Sequence, residues 1–342
     1  MNGGFDHERH QLLQLFGSIQ RGNHQIIDEY MILLFRFQYK YNKVYHQFCN
    51  NLGLKDKSVD KKEKIPFLPI SAFKMHEVKT GSFDAEIIFK SSGTTGLQTS
   101  LHQIRDLNHY LLNAENIWSK YFRPVNNYQI LALLPGYLER EGSSLIKMVD
   151  YFVQLSNYKM SGFYLRDHDK LAETLRQCKK KQIPTVLFGV TFALLDFIEQ
   201  YKINFPELLI IETGGMKGNR EEMTKVAIHE LIKDAFHVLG VYSEYGMTEL
   251  LSQTYTKGGT IFLPNDFLHI FTHQINDPLS REKAGKPGII SIIDLANIDS
   301  CAFIQTEDLG ILNRDDSFEI LGRLDYADVR GCNLLVQESG LS

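Results

Sequence analysis

The run Ser91-Ser92-Gly93-Thr94-Thr95-Gly96 packs four hydroxyls and two glycines into six residues. Glycines permit tight backbone conformations, and hydroxyls together with amide N–H groups can converge on one anion, an arrangement that suits phosphate oxygens. The GxxxxGK[ST] spacing of a Walker loop is absent, and no lysine follows Gly96. A Ser/Thr/Gly turn that holds no ligand is the alternative this hexapeptide leaves open. Three more clusters belong beside it. Glu212-Thr213-Gly214-Gly215-Met216-Lys217-Gly218 has glycines that would let a flat ligand approach the backbone. Ser243-Glu244-Tyr245-Gly246-Met247-Thr248-Glu249 places an aromatic face, a hydroxyl and a carboxylate close together. Such a set could stack a base, contact a phosphate and hold Mg²⁺ through oxygen. Thr306-Glu307-Asp308-Leu309-Gly310 offers a carboxylate for vicinal ribose hydroxyls.

These clusters need elements to carry them. Apolar residues recur at helical spacing from Ile26 to Phe48 and stop near Asn50-Asn51-Leu52-Gly53, which predicts a helical N-terminal segment over residues 1–64. The lysine- and acid-rich run Lys55–Lys64 reads as a solvated loop, and Ile65-Pro66-Phe67-Leu68-Pro69 as a stiff extended lead-in. Strands are then expected at 86–90, 129–134, 185–190, 208–212 and 237–242, and helices from Asp106 and over 143–155, 168–181, 192–201 and 219–236. That alternation implies parallel strands with crossover helices, in an α/β core spanning 65–322. In such sheets ligands gather at the C-terminal ends of strands, where all four clusters are expected. From about 258 to 322 the pattern turns β-rich, with strands at 260–263, 267–273, 288–294, 301–306 and 317–321. Residues 323–342 are a short tail.

Composition narrows the function classes. The 37 basic and 41 acidic side chains leave a net charge of −4, without the basic excess of a nucleic-acid binder. Cys49, Cys178, Cys301 and Cys332 are scattered, so a reduced, cytoplasmic setting is expected. The N-terminus lacks the pattern of a signal peptide. The most apolar stretch, Ile183 to Ile198, contains Pro184 and Asp196 and falls short of the ~20 residues of a membrane span.

Ser91–Gly96, Gly214-Gly215, Tyr245–Glu249, Asp308 and Gly322-Arg323 stand in the order and approximate spacing of the adenylate-forming superfamily, which the chain resembles over nearly its whole length. Within it, Ile65–Pro69, Leu134-Pro135-Gly136-Tyr137-Leu138-Glu139-Arg140, Glu212–Gly218 and Arg330-Gly331-Cys332 look like the acyl-protein synthetases of the bacterial luminescence fatty-acid reductase, the LuxE family. The resemblance implies that Ser91, Ser92, Gly93, Thr94, Thr95 and Gly96 hold the β- and γ-phosphates of ATP. Gly214 and Gly215 would flank the adenine, Tyr245 would stack on it, and Gly246 would belong to the same nucleotide-binding set. Thr248 would touch the α-phosphate, Glu249 would bind Mg²⁺, and Asp308 and Arg323 would hold the ribose. It further implies a fatty acid activated to an acyl-adenylate and an acyl group carried as a thioester on Cys332. An acyl-CoA-reductase-like protein or an acyl carrier protein would be the partner.

Two departures stand out. Many adenylate formers carry a lysine just after the phosphate loop, whereas here the order is Leu97-Gln98-Thr99-Ser100-Leu101-His102. His102 either replaces part of that charge or is a surface histidine. Relatives also continue into a C-terminal lid bearing a further lysine, while here 19 residues follow Arg323 and none is lysine; the lid is expected to be largely absent. Arg330 could favour the Cys332 thiolate, and a semi-buried structural cysteine is the alternative. Glu139 and Arg140 either line the acyl side or form an ordinary ion pair. Two rival functions remain: a ligase passing the acyl group to coenzyme A or a carrier protein, in the manner of phenylacetate–CoA ligases, and a non-catalytic nucleotide-binding subunit.

Overall fold

A computed structural model describes residues 3–91, 99–136, 142–214 and 223–324. Three helices come first: α1 (Gly3–Gln20), α2 (Ile27–Tyr41) and α3 (Lys43–Asn51). The sequence periodicity predicts the last two as one run and misses α1, whose buried stripe is only Leu12, Phe16 and Ile19. The break falls at Asn42, which is extended (φ −100°, ψ 109°). Its side-chain oxygen accepts the Tyr45 N–H at 3.0 Å, which caps α3. Its amide donates across to the Ser300 carbonyl at 3.1 Å.

The chain then forms β1 (Leu68–Pro69), the single turn α4 (Ala72–Met75) and the ribbon β2 (Ile87–Lys90) with β3 (Leu101–Ile104). The ribbon corrects one expectation. Among the described residues β2 does not belong to the parallel sheet but pairs antiparallel with β3 alone, so the phosphate-loop motif connects two antiparallel strands in the chain. Gly142 fastens the ribbon to the main body: it adopts φ +88°, its carbonyl accepts the Lys90 N–H at 2.8 Å, and a Cβ there would lie 2.7 Å from the Ile88 carbonyl oxygen.

The α/β body follows as α5 (Leu107–Tyr121), β4 (Gln129–Leu133), α6 (Ser144–Leu155), β5 (Gly162–Phe163), α7 (His168–Lys180), β6 (Thr185–Val190), α8 (Thr191–Gln200), β7 (Leu209–Thr213), α9 (Lys225–Phe236), β8 (Tyr242–Tyr245) and β9 (Thr254–Tyr255). The sheet order is β5-β4-β6-β7-β8-β9, with every pair parallel except β8–β9. All residues of β4 and β6 are buried, as expected of strands covered on both faces. Asp106, Ser143, Asp167 and Thr224 cap α5, α6, α7 and α9 through side-chain oxygens. The strand expected at 237–242 lies later, because His237 closes α9 in the left-handed conformation (φ 58°) and β8 begins only at Tyr242. Ser243, Glu244 and Tyr245 therefore lie within the strand rather than after it.

An antiparallel sheet completes the fold: β10 (Ile261–Phe262), β11 (Leu268–His273), β12 (Pro287–Asp294), β13 (Phe303–Leu312) and β14 (Phe318–Arg323), ordered β10-β14-β13-β12-β11, with β1 alongside β13. The N-terminal helices cover this sheet. Phe35 and Tyr45 pack on Phe303, with ring centroids 6.2 and 5.6 Å apart. The Tyr30 hydroxyl donates to the Leu295 carbonyl at 3.0 Å, and Arg9 binds both oxygens of Asp299 at 2.6 Å. β13 was expected to end at Thr306 but runs on to Leu312, so Asp308 sits inside a strand, directly opposite Arg323. Among the described residues no helix is long and apolar enough to cross a membrane.

Candidate active site

The turn after β8 carries Gly246, Thr248 and Glu249, and buried polar groups from several elements hold its backbone. On β3, the His102 Nδ1–H donates to the Thr248 carbonyl at 2.8 Å. Asn297 donates to the Glu249 carbonyl at 2.9 Å, and Asn113 of α5 donates to the Leu251 carbonyl at 2.9 Å. Asp294, at the end of β12 and fully buried, accepts from the Leu251 N–H (2.6 Å), the Ser252 N–H (3.1 Å), the Ser252 hydroxyl (2.6 Å) and the Ala296 N–H (3.1 Å). Burial pushes its pKa up, and the Ser252 hydroxyl and the three backbone N–H donors pull the other way by favouring the ionised form. The turn is thus fixed by the antiparallel sheet as much as by the strand that leads into it.

Glu249 is 4% exposed, and burial raises its pKa while the Ser100 hydroxyl pulls it back down. Ser100 closes the base of the hairpin loop: its N–H donates to the Ser91 hydroxyl oxygen at 2.9 Å, and its carbonyl accepts the Ser91 N–H at 3.2 Å. The loop base and the Glu249 carboxyl therefore meet. His102 corrects the sequence reading on both counts. It is buried at 1% exposure, its ring perpendicular to Phe73, and burial drops its pKa to about 4. It is neither a surface residue nor a replacement cation at neutral pH; it is a neutral donor that ties the hairpin to the Thr248 turn.

A second group joins the two large sheets. The Tyr245 hydroxyl, at the end of β8, donates to Asp308 Oδ2 of β13 at 2.8 Å. The Arg323 guanidinium lies 3.7 Å from Asp308 and 3.3 Å from Glu307. Burial raises the Asp308 pKa against the opposing pull of Tyr245 and Arg323. The Tyr245 ring also packs against Phe262 and Phe318, with centroids 5.7 and 5.8 Å away.

The sequence reading passed over a pair of buried carboxyl groups at the ends of β7 and β8. Glu212, 1% exposed, accepts from the Thr191 hydroxyl, from the Ser243 hydroxyl at 2.9 Å, and pairs with Lys225 at 3.3 Å. Burial works to raise its pKa, but His229, Lys225 and the two hydroxyls outweigh it and hold it at about 2. Glu244 accepts from the Thr213 hydroxyl on the opposite face of the sheet. Burial, with Glu212 adding, lifts its pKa to about 7. Gly246 lies against it: a Cβ at 246 would come within 2.5 Å of Glu244 Oε1. The available signal was an acid near the end of each of two neighbouring buried strands, each set opposite a hydroxyl residue, Glu212 against Ser243 and Glu244 against Thr213.

Of the predicted site residues, the structure gathers Ser91, His102, Thr248 and Glu249 at the hairpin, and Tyr245, Asp308 and Arg323 between the sheets. Gly214 stands at the end of β7 and Gly246 just beyond β8, on the same edge. Ser92, Gly93, Thr94, Thr95, Gly96, Gly215 and Cys332, with Glu139 and Arg140, lie outside the described residues. Cys49, Cys178 and Cys301 are buried free thiols.

The parallel sheet with its edge of polar turns, flanked by an antiparallel sheet and a separate hairpin, is the adenylate-forming fold. A 2-hydroxyisobutyryl-CoA ligase solved with 2-HIB-AMP and CoA shares it at a TM-score of 0.66 and 11% identity, over 87% of this chain and 75% of that one. ATP-bound MatB from Rhodopseudomonas palustris shares it at 0.51 and 17% identity, over 71% of this chain but only 49% of that longer one. The family model "Acyl-protein synthetase, LuxE" matches residues 17–340, and the chain belongs to that family. It is accordingly an acid–thiol ligase of the AMP-forming kind. Similar proteins include the long-chain-fatty-acid–luciferin-component ligases of Aliivibrio fischeri, 24% identical over 91% of this chain and 87% of the relative, and of Vibrio harveyi, 23% identical over 89% and 85%.

Proposed function

We propose that this protein activates a fatty acid with ATP and passes the acyl group to a protein thiol, that of Cys332. A carboxylate oxygen attacks the α-phosphorus, the bond from that phosphorus to the bridging oxygen breaks, and pyrophosphate departs with the electron pair. The thiolate then attacks the acyl carbonyl, the carbon–oxygen bond to AMP breaks, and a thioester remains after the thiol proton has gone to solvent. From there the acyl group goes to a second protein, an acyl-CoA-reductase-like partner or an acyl carrier protein, in a cytoplasmic setting. The observation that carries the reading is the pairing of Tyr245 with Asp308 and Arg323 across two sheets, next to Glu249 and the hairpin base.

In this reading Tyr245 offers its face to the adenine, with Gly214 and Gly246 giving close backbone approach, while Asp308 and Arg323 receive the ribose. Thr248 faces the α-phosphate and Ser91–Gly96 the β- and γ-phosphates. Among the described residues no cluster of three or more His, Cys, Asp or Glu side chains forms a ready-made metal cage. Mg²⁺ needs one or two carboxylates and completes its shell with substrate phosphates and water. A buried Glu249 carboxyl held by a hydroxyl at the phosphate-loop base fits that demand. Glu249 would hold the ion, which neutralises phosphate charge when bound. The protein's own share is orientation and exclusion of water, which account for most of the acceleration in such transfers.

The test is acid-dependent ATP–pyrophosphate exchange over a panel of acids, followed by mass spectrometry for a labile acyl adduct. Cys332→Ser is expected to keep exchange and lose the adduct. An adduct that persists in that variant removes Cys332 from the reaction. Acyl transfer to added coenzyme A or carrier protein in its place would establish the other kind of ligase, and nucleotide binding without exchange for any acid would establish a non-catalytic subunit.

A further inference from the structure

The hairpin loop has no lysine directly behind it, and His102, the basic residue at that end of β3, is neutral. A triphosphate would nevertheless bring several negative charges to this corner, and a cation from another element can meet them. β1 supplies the route. Its pairing with Ile304 and Gln305 lays the chain alongside β13, and α4 follows immediately. Phe73 of α4 is 1% exposed and sets its ring against His102, centroids 5.7 Å apart, which fixes the turn to the hairpin. The next residue is Lys74. Its ammonium lies 3.9 Å from Glu307 Oε1, and the side chain is 38% exposed. Arg323 approaches the other oxygen of Glu307 at 3.3 Å. Glu307 thus stands between two cations and next to Asp308 in β13, and the charges of both Lys74 and Arg323 reach the Glu249 carboxyl.

We infer that Lys74 is the phosphate-binding cation of this site: a catalytic residue that leaves Glu307 to meet the triphosphate and then the departing pyrophosphate. The inference rests on the ATP reading above. A half-exposed ammonium almost 4 Å from a carboxylate is a loose pair, worth little in water. Phosphate oxygens carrying more charge and offering shorter contacts take it over. Arg323, spread between Glu307 and Asp308, stays with the ribose side, so the two cations divide the nucleotide between them. Glu307 acts as the holder that keeps Lys74 extended toward the site while it is empty of substrate.

The experiment compares ATP and adenosine binding, and the KM and kcat of acid-dependent pyrophosphate exchange, in the full chain and in Lys74→Ala, Lys74→Arg and Glu307→Gln. Lys74→Ala is expected to weaken ATP roughly ten- to a hundredfold, the worth of one charged hydrogen bond, and to leave adenosine within about twofold. Lys74→Arg should recover most of the ATP affinity. Glu307→Gln, which frees the ammonium, should bind ATP more tightly. A merely structural ion pair behaves differently: Lys74→Ala and Glu307→Gln would lose ATP and adenosine alike, and that result overturns the assignment. Unchanged ATP affinity in Lys74→Ala overturns it too. A wild-type chain that binds no ATP refutes the nucleotide reading itself, a failure distinct from a Lys74 variant that binds like wild type.

Discussion

Replacing Asp294 by asparagine tests whether the Glu249 turn is held from the antiparallel sheet. The carboxylate accepts four hydrogen bonds, two on each oxygen: Leu251 N–H and Ser252 N–H on Oδ2, and the Ser252 hydroxyl and Ala296 N–H on Oδ1. Asparagine keeps one oxygen and gains an NH₂ group; with that group in the Oδ1 position the Ser252 hydroxyl can turn to accept from it, so the Ala296 N–H loses its partner and the other three bonds lose their charge assistance. Hydrogen bonds to a charged group contribute about 1.5–3 kcal/mol each and neutral ones about 0.5–1.5 kcal/mol, a gross loss of about 4–7 kcal/mol. Part of that is recovered because a buried charge is removed, the same burial that raises the Asp294 pKa. A net destabilisation of about 3 kcal/mol is expected, read as a lower urea midpoint at unchanged slope. Ser252→Ala, which removes the hydroxyl that donates to Asp294 and accepts from Asn113, should cost about 2 kcal/mol. The double variant should cost less than the sum, since the two sites share a bond. Pyrophosphate exchange should fall in Asp294→Asn even where the protein is fully folded. If Asp294→Asn costs no more than Ser252→Ala and exchange is unchanged, the carboxylate does not hold the turn.

Glu244 makes stability pH-dependent. Its pKa is about 7 in the folded chain against an ordinary 4.5, so the native state keeps a proton that the unfolded state releases. Stability should therefore fall as pH rises from 4.5 to 7 by up to about 3 kcal/mol, and Glu244→Gln should flatten that interval in denaturation curves taken across it. Glu212 works in the opposite sense: held at about 2, it contributes stability that is present above 4.5 and lost as pH falls toward 2, so Glu212→Gln should be least destabilising, relative to wild type, in acid. Tyr245→Phe removes the hydroxyl donor to buried Asp308 and keeps the ring; about 1–2 kcal/mol of stability should go, with adenosine binding retained, both measurable by titration calorimetry and thermal melts.

The helices and parallel strands of the body were readable because caps and apolar runs are local signals: Asp106, Ser143 and the buried run Thr185–Val190 announce themselves within a few residues. The errors came where a distant partner decided the outcome. Nothing near Lys90 says that its strand pairs with residues 101–104 instead of joining the sheet. Asp308 was placed after a strand because Thr306-Glu307-Asp308 looks like a polar turn, yet register with Arg323 extends β13 through it. For His102 the sequence leaves a replacement charge or a surface residue open, and only the packing of Phe73 and the Thr248 turn against it shows that it is buried. Asp294 and Asn297 gave no signal at all, since their role is to bind backbone groups some 40 residues away in sequence. The sequence singles out Tyr245, Thr248, Glu249, Asp308 and Arg323 as motif residues, but not the groups that hold them in place.

The hydrogen bond from His102 to Thr248 gives the hairpin and the Glu249 turn a common anchor. A ribbon of two short strands has little stability of its own, and here its footing on the body includes that imidazole and the carbonyl of Gly142. The neutral ring thus links the base of the ribbon to the carbonyl next to the Glu249 carboxyl group. The two segments form one lever with its fulcrum buried, and slipping the ribbon by one residue would turn His102 to the opposite face and uncouple both arms at once.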